Sequence, residues 1–371
     1  MGGNNLDQKK GISLIHFFWF FVQAQIGAGL FTLPYIVFQQ ALTDGWISVL
    51  IAGLISQVMI VILWSVSNNY PNLTFYEFQK HILGNKIGKS VIFLYSLYFI
   101  VITITLLVFF KTLIDAWVLP HTPDVVKLIL FTIPALYLLN SPIKIIASFM
   151  TITAPILFLA PICAAFAFSD SEPLYLLPLL ETEWVGIWKG ALSSSFAMQG
   201  FLILPIIYPF VSGTSKEKLL TATYANIFVT TFYTFIVVSC YIYFSPGQFE
   251  VLPEPFLYMI KTISFTLFER VDLIFLAFWS IIVLSTLTIL LYSASTGLEI
   301  IFNRSNTRLF SILIGCIVIS LSMIPQNLLS IRRIFHYNEY AGILFAIFIP
   351  IFLFTYDRLV KGTPFIKIKR P

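Results

Sequence analysis

The sequence predicts an all-α integral membrane protein of about ten spanning helices, built as two inverted sets of five in which the first and sixth helices are broken. Three observations carry that expectation. Hydrophobic residues make up 58% and charged residues 11% of the chain, whereas a soluble domain is roughly 25% charged. Apolar runs of about 20 residues recur along its whole length, too long for barrel strands, and lipid leaves the backbone only helices or a closed barrel. Two of these runs, at corresponding places in the two halves, carry a glycine five residues ahead of a proline.

The elements follow in order. Residues 1–11 are polar and include Lys9 and Lys10; the run after them exceeds the apolar core of a cleaved signal peptide, so it is a retained first span over 12–37. Further spans are expected over 43–67, 90–117, 125–141, 143–168, 185–210, 219–244, 271–298, 308–324 and 340–357. The fourth is short and holds Pro134. With ten spans and the N-terminus inside, the inner side collects Lys9, Lys10, Lys80, Lys86, Lys89, Lys144, Lys216, Lys218, Arg304, Arg308 and the five basic residues from Arg358 onward, fifteen of 22. The outer side takes Asp124, Asp170, Glu172, Glu181, Glu183, Glu250 and Glu254, in line with the positive-inside rule. Both termini are then cytoplasmic, and residues 358–371 form a basic tail that reads as a stop-transfer flank, with a segment resting on anionic headgroups as the alternative.

The chain reads as one polytopic membrane domain, its first repeat about 12–168 and its second about 185–357. Two longer connections, 71–88 and 246–270, each follow the second span of a half. Each is expected to hold an interfacial amphipathic helix.

Other function classes lack their residues. The net charge of +5 is dispersed through short connections and the tail, so no nucleic-acid partner is expected. Cys163, Cys240 and Cys316 sit singly inside apolar runs without CxxC spacing and read as small buried hydrophobes. His16, His81, His121 and His336 are scattered at the span edges, without ligand spacing. No phosphate-binding loop, nucleophile elbow or carboxylate pair is present, so no enzyme activity, cofactor or metal is expected.

The interrupted helices are the candidate site. QIGAGLFTLP in span one places Gly27 and Gly29 near the middle of the membrane with Pro34 beyond, and AMQGFLILP in span six places Gly200 ahead of Pro205. Free amides and carbonyls at paired breaks suit a zwitterion or an ion; a close helix-packing patch is the alternative.

IGAGLFTLP resembles the opening motif of the amino acid, polyamine and organocation transporter superfamily, whose fold is a LeuT-like pair of inverted five-helix repeats. More narrowly, the chain resembles the B subunit of bacterial spore germinant receptors. FERVDLIFLAFW from Phe268, YSASTGLEIIF from Tyr292, LPHTPDVV after span three and YEFQKHILGNKIGK from Tyr76 carry that likeness. It implies a spore inner-membrane subunit that senses a small nutrient such as an amino acid, beside an A subunit and a lipoprotein C subunit.

In that fold the ligand is expected between spans one, three, six and eight. Span one offers Gln25, Gly27, Ala28 and Gly29, and span six offers Ser195, Gln199, Gly200 and Phe201. Span three offers Tyr98, Val101 and Ile102 for shape selection, and span eight the hydroxyls of Ser285, Thr286 and Thr288; mid-membrane hydroxyls also commonly bond back to their own helix. No titratable group is expected near the centre, which favours a sensor over a proton-coupled pump. An amino acid permease is the alternative function.

Overall fold

The computed structural model describes residues 11–263, 270–303, 307–325 and 328–362, and every regular element in them is helical. Lys9, Lys10, Phe268, Arg304 and the tail beyond Gly362, all named above, lie outside these residues.

Span one is Leu14–Gln25 and Gly29–Ala41, span two Gly45–Asn69, span three Asn85–Trp117, span four Asp124–Leu139 and span five Ile143–Asp170. Span six is Trp184–Ala197 and Gln199–Phe210, bent by 45°. Span seven is Ser215–Tyr243, span eight Val271–Phe302 and span nine Thr307–Ser322; Leu328–Ile343 and Ile349–Lys361 make span ten, with a π-helical turn between them. Among the described residues six helices are individually long and apolar enough to cross a bilayer, or seven with the bent pair. One of the six, Gly29–Asn69, is 41 residues long, roughly 60 Å as a straight helix and twice a bilayer core. It turns back on itself: Leu42 has φ +46°, and a Cβ on Gly45 would lie 3.2 Å from the Val37 carbonyl carbon. Dividing it there and adding the 16-residue helices of spans four and nine gives the ten expected.

Packing obeys the exchange of each span with the one five later. The first half of span one lies on spans five and seven, and the first half of span six on spans ten and two. Span eight packs on spans three and four, as span three packs on spans eight and nine. Both expected interfacial segments are helical. Phe75–Leu83 is capped by Thr74 and Glu77 and rests on the second half of span six; Pro255–Lys261 rests on the second half of span one. At one end, Ser212 N–H donates to the Ile12 carbonyl (2.8 Å), tying the start of span one to the end of span six.

Two groups of buried charge are ion-paired. Lys111 and Lys127, both buried, meet Asp115 and Asp124 in a four-residue network joining spans three and four. Arg270 grips fully buried Asp272 with two nitrogens, at 2.9 and 2.7 Å. Of the cysteines only Cys240 is buried; Cys316 faces outward from span nine, because a cysteine on a lipid-exposed face keeps its apolar surroundings without burial.

Asp44, at the turn between spans one and two, is fully buried and accepts the Leu180 and Thr182 amides at 2.8 and 3.1 Å, anchoring the approach to span six. Asp44→Ala should destabilise the protein by about 2 kcal/mol and Asp44→Asn by less, because one acceptor survives. Thermal unfolding in detergent measures both, and equal losses would contradict the hydrogen-bond account.

Candidate functional site

The break in span one follows from its glycines, which weaken a helix. Leu14–Gln25 ends at Ile26, which is extended (φ −102°, ψ 111°), and Gly29–Ala41 restarts at Ala28 without a side-chain cap. In span six the chain passes into a 3₁₀ segment, Gln199–Ile203. The two breaks cross at Gly200: a Cβ there would overlap the Ala24 carbonyl and sit 2.6 Å from the Gln25 nitrogen. Only glycine permits that approach.

The carbonyls at the break in span one already have donors. Tyr233 of span seven donates to the Gln25 carbonyl at 2.9 Å, and Trp279 of span eight to that of Gly27 at 3.2 Å. The Thr286 hydroxyl lies 3.0 Å from the Gln23 carbonyl and 3.4 Å from that of Ile26. Of the amides opening Gly29–Ala41, that of Phe31 donates to the Ala28 carbonyl at 3.2 Å, and those of Gly29 and Leu30 have no side-chain cap at the positive end of the dipole. The break therefore presents donors to a ligand, which suits a carboxylate better than an ammonium.

A cavity of about 480 Å³ opens on this break. Gln25, Gly27, Ala28 and Gly29 reach its wall from span one, Gln199 and Gly200 from span six, Ile102 from span three and Thr286 from span eight. Gln25 is buried, and its side-chain oxygen has no hydrogen-bond partner.

The other residues singled out in the sequence stand elsewhere. Tyr98 lies behind the wall, donating to the Gln199 side chain and stacking on Phe345 with centroids 4.5 Å apart. Val101 is half-buried off the cavity face, because the stripe that lines it is Phe99, Ile102, Leu106, Phe109 and Leu113, one helical register away. Ser285 and Thr288 donate to the Ile281 and Leu284 carbonyls of their own helix. Ser195 bonds back to Ala191 and faces a small crevice beside the cavity, and buried Phe201 borders the same crevice.

Sequence reasoning missed the acidic part of the wall. Glu254 reaches it from the 246–270 connection, and His336 and Glu339 from span ten. Span ten begins earlier than its apolar run suggested, because its polar first half faces the cavity rather than lipid. The signal was present: Phe335, Glu339 and Gly342 recur at helical spacing, and Asn338, also in that half, is buried against Thr105 of span three. The expectation of no central titratable group is corrected accordingly.

A family model for spore permeases, described as spore germination protein, matches residues 11–331. The chain belongs to the spore permease family. It is 26% identical over 286 residues to spore germination protein GerQB of Bacillus cereus, covering 76% of this chain and 78% of that one. To spore germination protein A2 of Bacillus subtilis it is 25% identical over 364 residues, 94% of each.

Among solved structures, MhsT in complex with L-phenylalanine superposes with TM-score 0.67 at 16% identity, over 94% of this chain and 89% of that one. A substrate-bound, outward-open Na⁺-coupled sialic acid symporter gives 0.60 at 14% identity, over 92% and 80%. These likenesses establish the LeuT-like fold. With the family, they make this spore permease a multi-pass membrane protein of the transporter and receptor type, not an enzyme.

Two outcomes follow from this geometry. Gly200→Ala should destabilise by about 3 kcal/mol or more, because its neighbour is backbone, whereas Gly27→Ala meets only the movable Thr286 side chain at 3.0 Å and should lose about 1 kcal/mol. Thermal unfolding of the two variants checks the order, and a reversal would move the crossing point.

The second concerns pH. Burial raises the Glu254 carboxyl above the usual carboxylate range, so the native state holds that proton more tightly than the unfolded chain does. Its contribution to stability is full below the ordinary value of about 4 and is lost as pH rises through the native value. Glu254→Gln should therefore raise the unfolding midpoint at neutral pH and leave it unchanged in acid; an equal shift at both would refute the burial argument.

Proposed function

We propose that this spore permease is the nutrient-sensing B-type subunit of a spore germination receptor. It binds an amino-acid-type solute at the crossing of spans one and six and signals by a change of shape. The observation that carries the reading is the uncapped amide end of Gly29–Ala41 facing a cavity of about 480 Å³, in a chain whose relatives are named as spore germination proteins. The solute carboxylate takes the amides, and the aliphatic and aromatic wall from Ile102 and Phe109 selects its side chain.

The signal passes to an A subunit and a lipoprotein C subunit in the spore inner membrane, with both termini of this chain in the cytoplasm. Binding shifts a two-state equilibrium, and the partners read the state. L-phenylalanine in the MhsT complex supports an amino acid as the class of solute for this fold.

Gly29 is the residue to change. A Cβ there would meet Ala197 at 3.3 Å and the Tyr233 hydroxyl at 3.4 Å, so Gly29→Leu fills the space in front of the amides. In spores lacking every other receptor of this kind, the variant should remain in the membrane while the nutrient dose-response is lost. An unchanged dose-response would refute the site.

The alternative is an amino acid permease, favoured by the transporters that share the fold. Purified protein in liposomes distinguishes the two. Gradient-driven uptake of labelled amino acid without partners supports the permease, and its absence alongside measurable binding supports the receptor.

A further inference from the structure

The wall of the cavity carries fixed charge of one sign. Among the described residues that line it there is no lysine or arginine, while Glu254 and Glu339 are both present, with His336 the remaining basic side chain. The two acids occupy different places. Glu254 belongs to the 246–270 connection and lines the cavity with Pro253 and with Trp117 at the end of span three. Glu339 lies on the first half of span ten where that helix meets span six.

Two observations place Glu339 beside the break. Gly342 is one turn further on the same helix face, and a Cβ on it would lie 3.1 Å from the Gln199 side-chain oxygen and 3.5 Å from the Tyr98 hydroxyl. Glu339 lines both the main cavity and the small crevice next to it, and Gln199 does the same. The Glu339 side chain is about one third exposed, so the charge is available to the cavity.

The chemistry of the break gives this acid a task. An ammonium group needs acceptors, and the carbonyls of Gln23, Gln25, Ile26 and Gly27 are covered by Thr286, Tyr233 and Trp279. Also at the break is the Gln25 side-chain oxygen, buried and without a hydrogen-bond partner, in a residue that lines the cavity. A neutral oxygen accepts somewhat more strongly from an ammonium than from a hydroxyl or an amide, and a carboxylate adds a full opposite charge that sharpens the preference for the cation.

Resting on the solute class given above, we propose that Glu339 is the ammonium-selecting residue of the cavity, acting with the Gln25 side-chain oxygen opposite the carboxylate-binding amides of the span-one break. The solute must then carry a positive group as well as a negative one, and a deaminated acid of the same shape is rejected. His336, 3.9 Å from the Glu339 carboxylate on the same helix, is the near basic group; once protonated it competes with the ligand for that charge. The other titratable side chains lining the cavity are Glu254 and Tyr35.

The test uses the full chain purified in detergent, with binding read from tryptophan fluorescence, since Trp117 lines the cavity, and from thermal shift. The probes are L-alanine, L-leucine and L-phenylalanine, each beside its deaminated acid and its decarboxylated amine. Wild-type protein should bind at least one amino acid about tenfold or more tighter than the matching deaminated acid. Glu339→Gln should lose about tenfold on that amino acid and on the amine while the deaminated acid stays within about twofold, and Glu339→Asp should keep part of the preference.

Amino acid and amine binding unchanged in Glu339→Gln would overturn the assignment of Glu339 and leave the proposed function standing. Equal wild-type affinity for an amino acid and its deaminated acid would overturn ammonium selection without any variant, so the test survives a misfolded mutant. Failure of every probe to bind would overturn both readings.

Discussion

Everything in this fold answers to one constraint: a backbone interrupted in the middle of a membrane has no water to satisfy it. The break at Ile26–Ala28 frees a set of carbonyls and a set of amides. The protein meets the first set with Tyr233, Trp279 and Thr286, side chains sent in from spans seven and eight. Those bonds fix where spans seven and eight stand relative to span one. The second set has no such cover, and that asymmetry turns a structural liability into a donor-lined recess.

The architecture was legible because lipid simplifies the code. Apolar runs marked the spans, and the two Gly-to-Pro intervals, Gly29 to Pro34 and Gly200 to Pro205, marked the interruptions. The paired connections 71–88 and 246–270 showed that the halves correspond. Hydropathy failed where protein rather than lipid surrounds a helix. Span ten opens with Arg333, His336 and Glu339, which reads as loop on an apolar scale, yet this stretch is helical and forms one side of the cavity.

The site was legible at its backbone and less so at its side chains. Gly27, Gly29 and Gly200 announce themselves, because glycine at a helix break has few other uses. The face of span three is different: Tyr98 and Val101 were as plausible as Phe99 and Leu106, since an all-apolar helix gives no periodic signal to choose a register. The hydroxyls of Ser285 and Thr288 were open in the same way, and only coordinates show them bonded back to their own helix while Thr286 reaches across to span one.

The acids on the wall also change how sensing and pumping are to be told apart. A missing central carboxylate had favoured a sensor, and Glu339 removes that argument. The remaining argument is mechanical. The first half of span one is held by spans five and seven, and Gln23 of that half donates to the Met150 carbonyl of span five at 2.6 Å. The second half is held by the first half of span six and by Pro255–Lys261. A solute whose carboxylate docks on Gly29–Ala41 and whose cation is held from span ten would bridge those two helices, so that binding energy bears on their relative position. Transport requires that displacement to open a path on the opposite side; signalling requires only that a neighbour feel it. Pro255–Lys261 packs on the second half of span one and, through Trp117 and Tyr258 with ring centroids 5.0 Å apart, on the end of span three, which joins the span-one break to the 246–270 connection.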